Sequence, residues 1–290
     1  MQIKLKNKRY PIVFVLPGLL IFSFFFVLPF FIALRYSFTN WNFQKSDFIG
    51  LNNYISILKN KHMSIAFKNT FLFTIITTFF KTVFGVMLAI ILNQKIKLRN
   101  LYRTIFYLPA VINMIAVGIV FKALMHPGRG LINIVLKQIG LSSLTHQWLA
   151  DPKIAIFSIC FIEIWKWSGY IMLLILAALQ TVPQDYYEAA EIAGANVWQK
   201  FYYITVPCIR EQLVNSVIIS LIGGLKVFDT VLATTGGGPG YSTQVFNSII
   251  YKSYSMNLQG EACAGTVLLS LFILIITLFS YRTLTGRNKQ

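Results

Sequence analysis

From Pro11 to Leu34 the chain runs without a single charged residue. As a helix rising 1.5 Å per residue, that run reaches roughly 36 Å, enough to cross the roughly 30 Å hydrocarbon core of a bilayer. Five further apolar runs follow, at about Ala66 to Leu92, Leu101 to Met125, Ile154 to Leu179, Gln212 to Ala233 and Ala262 to Tyr281. A chain that is 56% hydrophobic and 12% charged, with a mean hydropathy of +0.64, has too little polar surface to coat a soluble globule of this length. The expected fold is therefore all-α and polytopic, with six transmembrane helices near 11–38, 66–94, 101–125, 154–180, 208–233 and 262–284. Residues 11–285 form one transmembrane domain, 1–10 a cytoplasmic N-terminus and 286–290 a cytoplasmic tail.

Six crossings put both termini on one side, and the basic residues choose which. Lys4, Lys6, Lys8 and Arg9, the cluster Lys95, Lys97, Arg99 and Arg103, and Arg282, Arg287 and Lys289 all fall on the side of the termini. Short cytoplasmic loops collect Lys and Arg, so that side is expected to be cytoplasmic, in the cell membrane. The opposite loops, about Thr39 to Ser64, His126 to Pro152 and Thr234 to Glu261, are longer and less densely basic, and Trp41 and Trp148 suit an interfacial aromatic belt. The formal net charge of +17 thus reads as topology and contact with anionic membrane lipid rather than as a nucleic-acid face. Lys4 to Arg9 before an apolar run also has the outline of a signal peptide, but the run is long and no small-x-small cleavage pattern follows, so it is expected to stay as the first helix.

Cys160, Cys208 and Cys263 form no CxxC pair, and His62, His126 and His146 show no HExxH or HxH spacing, so no metal site is expected. No catalytic residue is expected either, since no dyad stands at helical spacing. Charges inside the apolar runs are few: Lys81 in the second, Glu163 and Lys166 in the fourth, Lys226 and Asp229 in the fifth. Such groups face a bundle interior, a cavity or an interface. Glu163, Lys166, Trp167 and Tyr170 fall at i, i+3, i+4 and i+7, giving one polar and aromatic face suited to hydroxyls and a sugar ring. These four, with Lys226 and Asp229, are the candidate solute contacts. The competing expectation is that each acid and base neutralise one another at a helix interface and that the aromatic stripe is packing.

The segment 181–207 is more elaborate than a linker between two crossings requires. Thr181 with Gln184 has a capping-box pattern, Pro183 suits the first turn, and Asp185 complements the positive end of the helix dipole. Gly194 can end that helix in the left-handed conformation, and Asn196 can cap a second one through Trp198, Phe201 and Tyr202. From Pro183 to Ala193 the helix is only about 16 Å long and carries Asp185, Glu188 and Glu191, so it lies on the cytoplasmic surface as an elbow.

Glu188-Ala189-Ala190, then Gly194, then Ile204 and Pro207 resemble the EAA loop of permease subunits in binding-protein-dependent ABC importers, with Val206 where Leu is usual before the proline. Phe48-Ile-Gly-Leu-Asn-Asn-Tyr54, Asn69-Thr70, Tyr102-Arg-Thr-Ile-Phe-Tyr-Leu-Pro109, Lys226-Val-Phe-Asp229 and Thr235-Gly-Gly-Gly-Pro-Gly240 are similar to the sugar-importing branch that includes maltose and glycerol-3-phosphate permeases. The resemblance implies a second homologous permease, two ATPase subunits and an extracytoplasmic solute-binding protein, with a sugar or oligosaccharide as solute. It also implies that Glu188, Ala189, Ala190, Gly194, Ile204 and Pro207 couple the chain to an ATPase. The chain contains no GxxxxGK[ST], so ATP and Mg²⁺ would be used by the partner ATPase, with no cofactor bound directly and no enzymatic activity here. The alternatives are an ABC permease for a non-sugar solute, a self-contained secondary transporter or channel, and an intramembrane enzyme. The lack of an internal repeat weighs against a transporter built of inverted halves.

Overall fold

The computed structural model describes residues 14–94 and 96–285. The tetrad Lys4, Lys6, Lys8 and Arg9, the tail residues Arg287 and Lys289, and Lys95 lie outside the described residues, as do the expected segments 1–10 and 286–290. Among the described residues the chain is helical, and its nearest approach to a sheet is one antiparallel bridge between Thr39 and Phe48. Four helices are long and apolar enough to cross a membrane: α1 (Leu16–Tyr36), α3 (Lys61–Asn93), α7 (Ala155–Leu179) and α13 (Gln259–Thr285). Shorter helices lie between them: α2 (Asn52–Lys59), α6 (Leu131–Gln138) and α12 (Phe246–Ser255).

Two further helix pairs are apolar enough to cross together but are bent. The run expected as one helix over 101–125 is α4 (Arg99–Val111) and α5 (Met114–Leu124), which meet at 97°. Pro109 lies inside α4 and has no N–H to give the helix ladder. Asn113 then starts a new helix, its Oδ1 accepting from Ile115 N at 2.8 Å. The run expected over 208–233 is α10 (Arg210–Leu225) and α11 (Asp229–Thr234), broken between Leu225 and Asp229, and it is preceded by α9 (Val197–Cys208), which lies in the expected elbow and meets α10 at 72°. Each bent pair taken as one span gives six crossings. The second crossing begins earlier than expected, because Asn60 accepts from His62 N at 2.9 Å and so caps α3 ahead of Ala66.

The chain divides into two compact units: the part up to 59 with 250–270, and 60–249 with the stretch from 271. In the first unit Asn53 is buried and its Nδ2 donates to Ser37 O and Thr39 O, both at 2.8 Å. Those carbonyls follow the end of α1, so the Asn-Asn-Tyr motif serves as a clamp on a helix terminus whose acceptors have no partners within the helix. Trp41, expected at the membrane interface, stacks on Tyr36 at 4.1 Å.

In the second unit α7 is the central element. Ile171, Met172, Ile175 and Leu179 pack with Ala89 and Leu92 of α3, while Ile156 and Ile159 meet Phe73, Val227 and Val231. Gly169 lets α4 approach closely, since a Cβ there would collide with the Phe106 carbonyl oxygen. Asn69 Nδ2 donates to Ser242 O at 2.8 Å and Gln244 O at 2.9 Å, and Thr70 Oγ1 accepts from Phe246 N at 3.0 Å. The Asn69-Thr70 motif therefore pins the chain that follows the glycine-rich loop.

Candidate functional site

All six expected solute-contact residues, Glu163, Lys166, Trp167, Tyr170, Lys226 and Asp229, line one cavity of about 250 Å³. Four come from a single face of α7, as their spacing requires. Lys226 and Asp229 come from the break between α10 and α11, where the helix stops at Leu225 and restarts at Asp229. Thr230, Ser220 and Lys81 complete the polar part of the wall.

The charges are not partnered in the way their sequence proximity suggests. Glu163 is 7% exposed, and its Oε1 lies 3.6 Å from Lys81 Nζ, itself on a residue only 3% exposed. Its Oε2 accepts from Thr230 Oγ1 at 2.7 Å. One carboxylate thus ties α3, α7 and α11 together. Lys166 turns the other way and donates to Pro109 O at 3.0 Å, Ala110 O at 3.1 Å and Ile112 O at 2.5 Å. Those carbonyls belong to the end of α4, where the helix dipole is negative and acceptors are orphaned, so the ammonium caps the break in the third crossing. The Lys166 Nζ also sits 5.1 Å from the Trp167 ring centroid. Trp167 and Tyr170 meet edge to face at 6.0 Å and are half-buried, while Lys226 and Asp229 are exposed to the cavity. With Glu163, Lys81 and Lys166 engaged in holding helices, those four side chains present the aromatic and polar surface that the cavity offers.

The partner of Glu163 was not readable in sequence, because Lys81 and Thr230 are remote from it along the chain. The signals available were the lysine in an otherwise apolar run and the Pro109 that frees carbonyls.

A second constellation lies at the elbow. α8 (Gln184–Ile192) ends through Gly194 at φ +76°, the left-handed conformation that a Cβ disfavours. Asn196 and Gln199 form a reciprocal capping box, with Gln199 N donating to Asn196 Oδ1 at 2.9 Å and Asn196 N to Gln199 Oε1 at 2.8 Å. The expected Thr181 cap does not form. Its Oγ1 donates backwards to Ala178 O at 2.8 Å, and α8 starts behind Pro183 with no side-chain cap. Lys200 Nζ reaches Glu191 Oε1 at 2.7 Å, and Tyr187 OH shares a 3.0 Å hydrogen bond with Thr205 Oγ1.

Within the elbow Glu188, Ala189, Gly194 and Pro207 are exposed, and Ala190 and Ile204 half-buried. Around them Ile192 is 90% and Trp198 79% exposed, with Val197, Tyr202 and Tyr203 also open. These side chains form an exposed apolar surface on a charged elbow.

The family model described as the inner membrane component of binding-protein-dependent transport systems matches residues 81–289. The chain belongs to that family. Among relatives of this permease, a probable ABC transporter permease protein, YurN of Bacillus subtilis, is 34% identical over 94% of both chains. The trehalose/maltose transport system permease protein MalF of Thermococcus litoralis is 30% identical over 96% of this permease and 94% of its own length. Among solved structures, a bacterial alginate ABC transporter in complex with an alginate pentasaccharide-bound periplasmic protein contains a chain that matches with a TM-score of 0.83 and 25% identity, covering 96% of this permease and 94% of that chain. The permease is thus a multi-pass membrane subunit of a transporter.

Proposed function

We propose that this permease forms, with a second homologous permease, the translocation pathway for a sugar or oligosaccharide. Solute would be delivered by an extracytoplasmic binding protein, and work would come from two cytoplasmic ATPase subunits that use ATP and Mg²⁺. The observation that carries the reading is the cavity in which Trp167 and Tyr170 stand beside Lys226 and Asp229. Aromatic faces stack on the apolar faces of a pyranose ring, and the charged pair supplies a donor and an acceptor for its hydroxyls. The trehalose/maltose and alginate systems named among its relatives support a carbohydrate.

The elbow is the coupling surface in this reading. Glu188, Ala189, Ala190 and Gly194 enter a cleft of the ATPase, and Ile204 and Pro207 connect the elbow to the membrane helices. In reconstituted vesicles, Trp167→Ala and Tyr170→Ala should each lower sugar uptake at least tenfold, about one lost contact of 1.4 kcal/mol, with the subunits still co-purifying. Unchanged uptake in both variants would remove the solute role of this face.

A further inference from the structure

The opposite face of α7 borders a larger depression of about 890 Å³. Its walls are almost entirely hydrocarbon, with Phe80, Phe84 and Ile91 from α3, Ile105 from α4, and Phe161 and Trp165 from α7. Along α3 it extends from Ile76 to Ile91, about 22 Å at 1.5 Å per residue. One leaflet supplies roughly 15 Å of hydrocarbon, half the core thickness, so the groove has room for a whole acyl chain.

The end of the groove near Ile91 and Ile105 is basic. Arg99 Nε donates to Leu92 O at 2.5 Å and its Nη2 to Asn93 Oδ1 at 3.3 Å. The Gln180 amide oxygen, in the orientation that satisfies its neighbours, accepts from Arg99 Nη2 at 3.1 Å and from Arg103 Nη2. Arg103 Nε is buried and has no hydrogen-bond partner, and exposed Lys97 lies beside them in sequence. Every partner in this cluster is neutral. Among the described residues neither guanidinium meets a carboxylate. Among the described residues two arginines are therefore held in place without a carboxylate partner, at the mouth of an apolar groove.

That combination matches an amphiphile with an anionic head. We propose that the groove between α3, α4 and α7 is a binding site for one anionic phospholipid, its acyl chain along Phe80, Phe84 and Trp165 and its phosphate on Arg99 and Arg103. Guanidinium groups pair with phosphate by charge-assisted hydrogen bonds, and basic pockets between membrane helices hold such head groups. An apolar helix from another subunit would fill the groove and leave both arginines unpaired. Gln180 is the residue directly after α7 and directly before the elbow, so the head group would brace the elbow's root.

The test uses the complete importer in nanodiscs of equal parts phosphatidylcholine and phosphatidylglycerol, with retained lipids read by native mass spectrometry. The expected result is selective retention of phosphatidylglycerol on this subunit. Arg99→Gln with Arg103→Gln should reduce it about tenfold, the size of one charge-assisted contact, and Arg99→Lys with Arg103→Lys, which keeps both charges, should retain most of it. Equal retention of the two lipids, or unchanged retention in the Gln variant, would overturn the site. A photo-crosslinking residue in place of Phe84 separates the occupants. Capture of a phospholipid supports the proposal, and capture of a peptide from another subunit refutes it.

Discussion

Glu163 holds an ammonium on one oxygen and a threonine hydroxyl on the other, inside the membrane part of the protein. Removing one member of a buried ion pair leaves the other charged and uncompensated, at a cost of roughly 3–5 kcal/mol. Glu163→Ala should therefore lower the melting temperature of the purified permease sharply, whereas Lys81→Met combined with Glu163→Met should recover most of the loss. If the double variant is as unstable as the single, the pair is not what holds the helices. Lys166 stands differently, because its partners are carbonyls that α4 cannot satisfy. Lys166→Met should destabilise through those orphaned acceptors, and no compensating removal of an acid should rescue it. The sequence put Glu163 and Lys166 on one face and so made their mutual neutralisation the natural alternative. What it could not contain was the distance of either from Lys81 or from the end of α4, which depends on how α3, α4 and α7 pack.

At the scale of elements, the six apolar runs were legible because a bilayer demands about 20 apolar residues in succession, and hydrophobicity of that length survives any detail of packing. The elbow was legible for another reason. Gly194 and Asn196 are local signals, read by the backbone within a few residues, and both act as expected. Thr181 is not the cap because the helix starts later, at Gln184 behind Pro183, and the Thr181 hydroxyl instead donates to Ala178 O at the end of α7. The sharp break of the third crossing was marked by Pro109 and Asn113 but concealed by the uninterrupted hydrophobicity around them. At Gly194, φ of +76° makes residue choice a direct test of the turn. Left-handed backbone costs a residue with a Cβ roughly 1–2 kcal/mol, less for Asn. Gly194→Asn should preserve ATPase association and transport, and Gly194→Val should impair both while leaving membrane insertion intact. Full activity of the Val variant would separate the turn from coupling.

For the whole molecule, the proposed topology of six crossings would put the elbow on the cytoplasmic side. Cys208 is exposed near the elbow and Cys160 is buried. A membrane-impermeant maleimide should label Cys208 in inside-out vesicles and not in intact cells, and the reverse pattern would invert the topology. The elbow itself is cross-braced, by the Asn196 and Gln199 box, by Lys200 on Glu191 and by Tyr187 on Thr205. A strut braced in this way has little internal compliance. The joint available to yield lies at its membrane end, where the π-helical turn Phe201–Thr205 leads to the 72° bend around Ile209. Ile209 is buried against the α3 and α7 core. In the proposed coupling Ile209 would serve as a fulcrum: displacement applied at the exposed tip would reach α10, and through α10 the lysine and aspartate at the cavity rim, as rotation rather than as local unfolding.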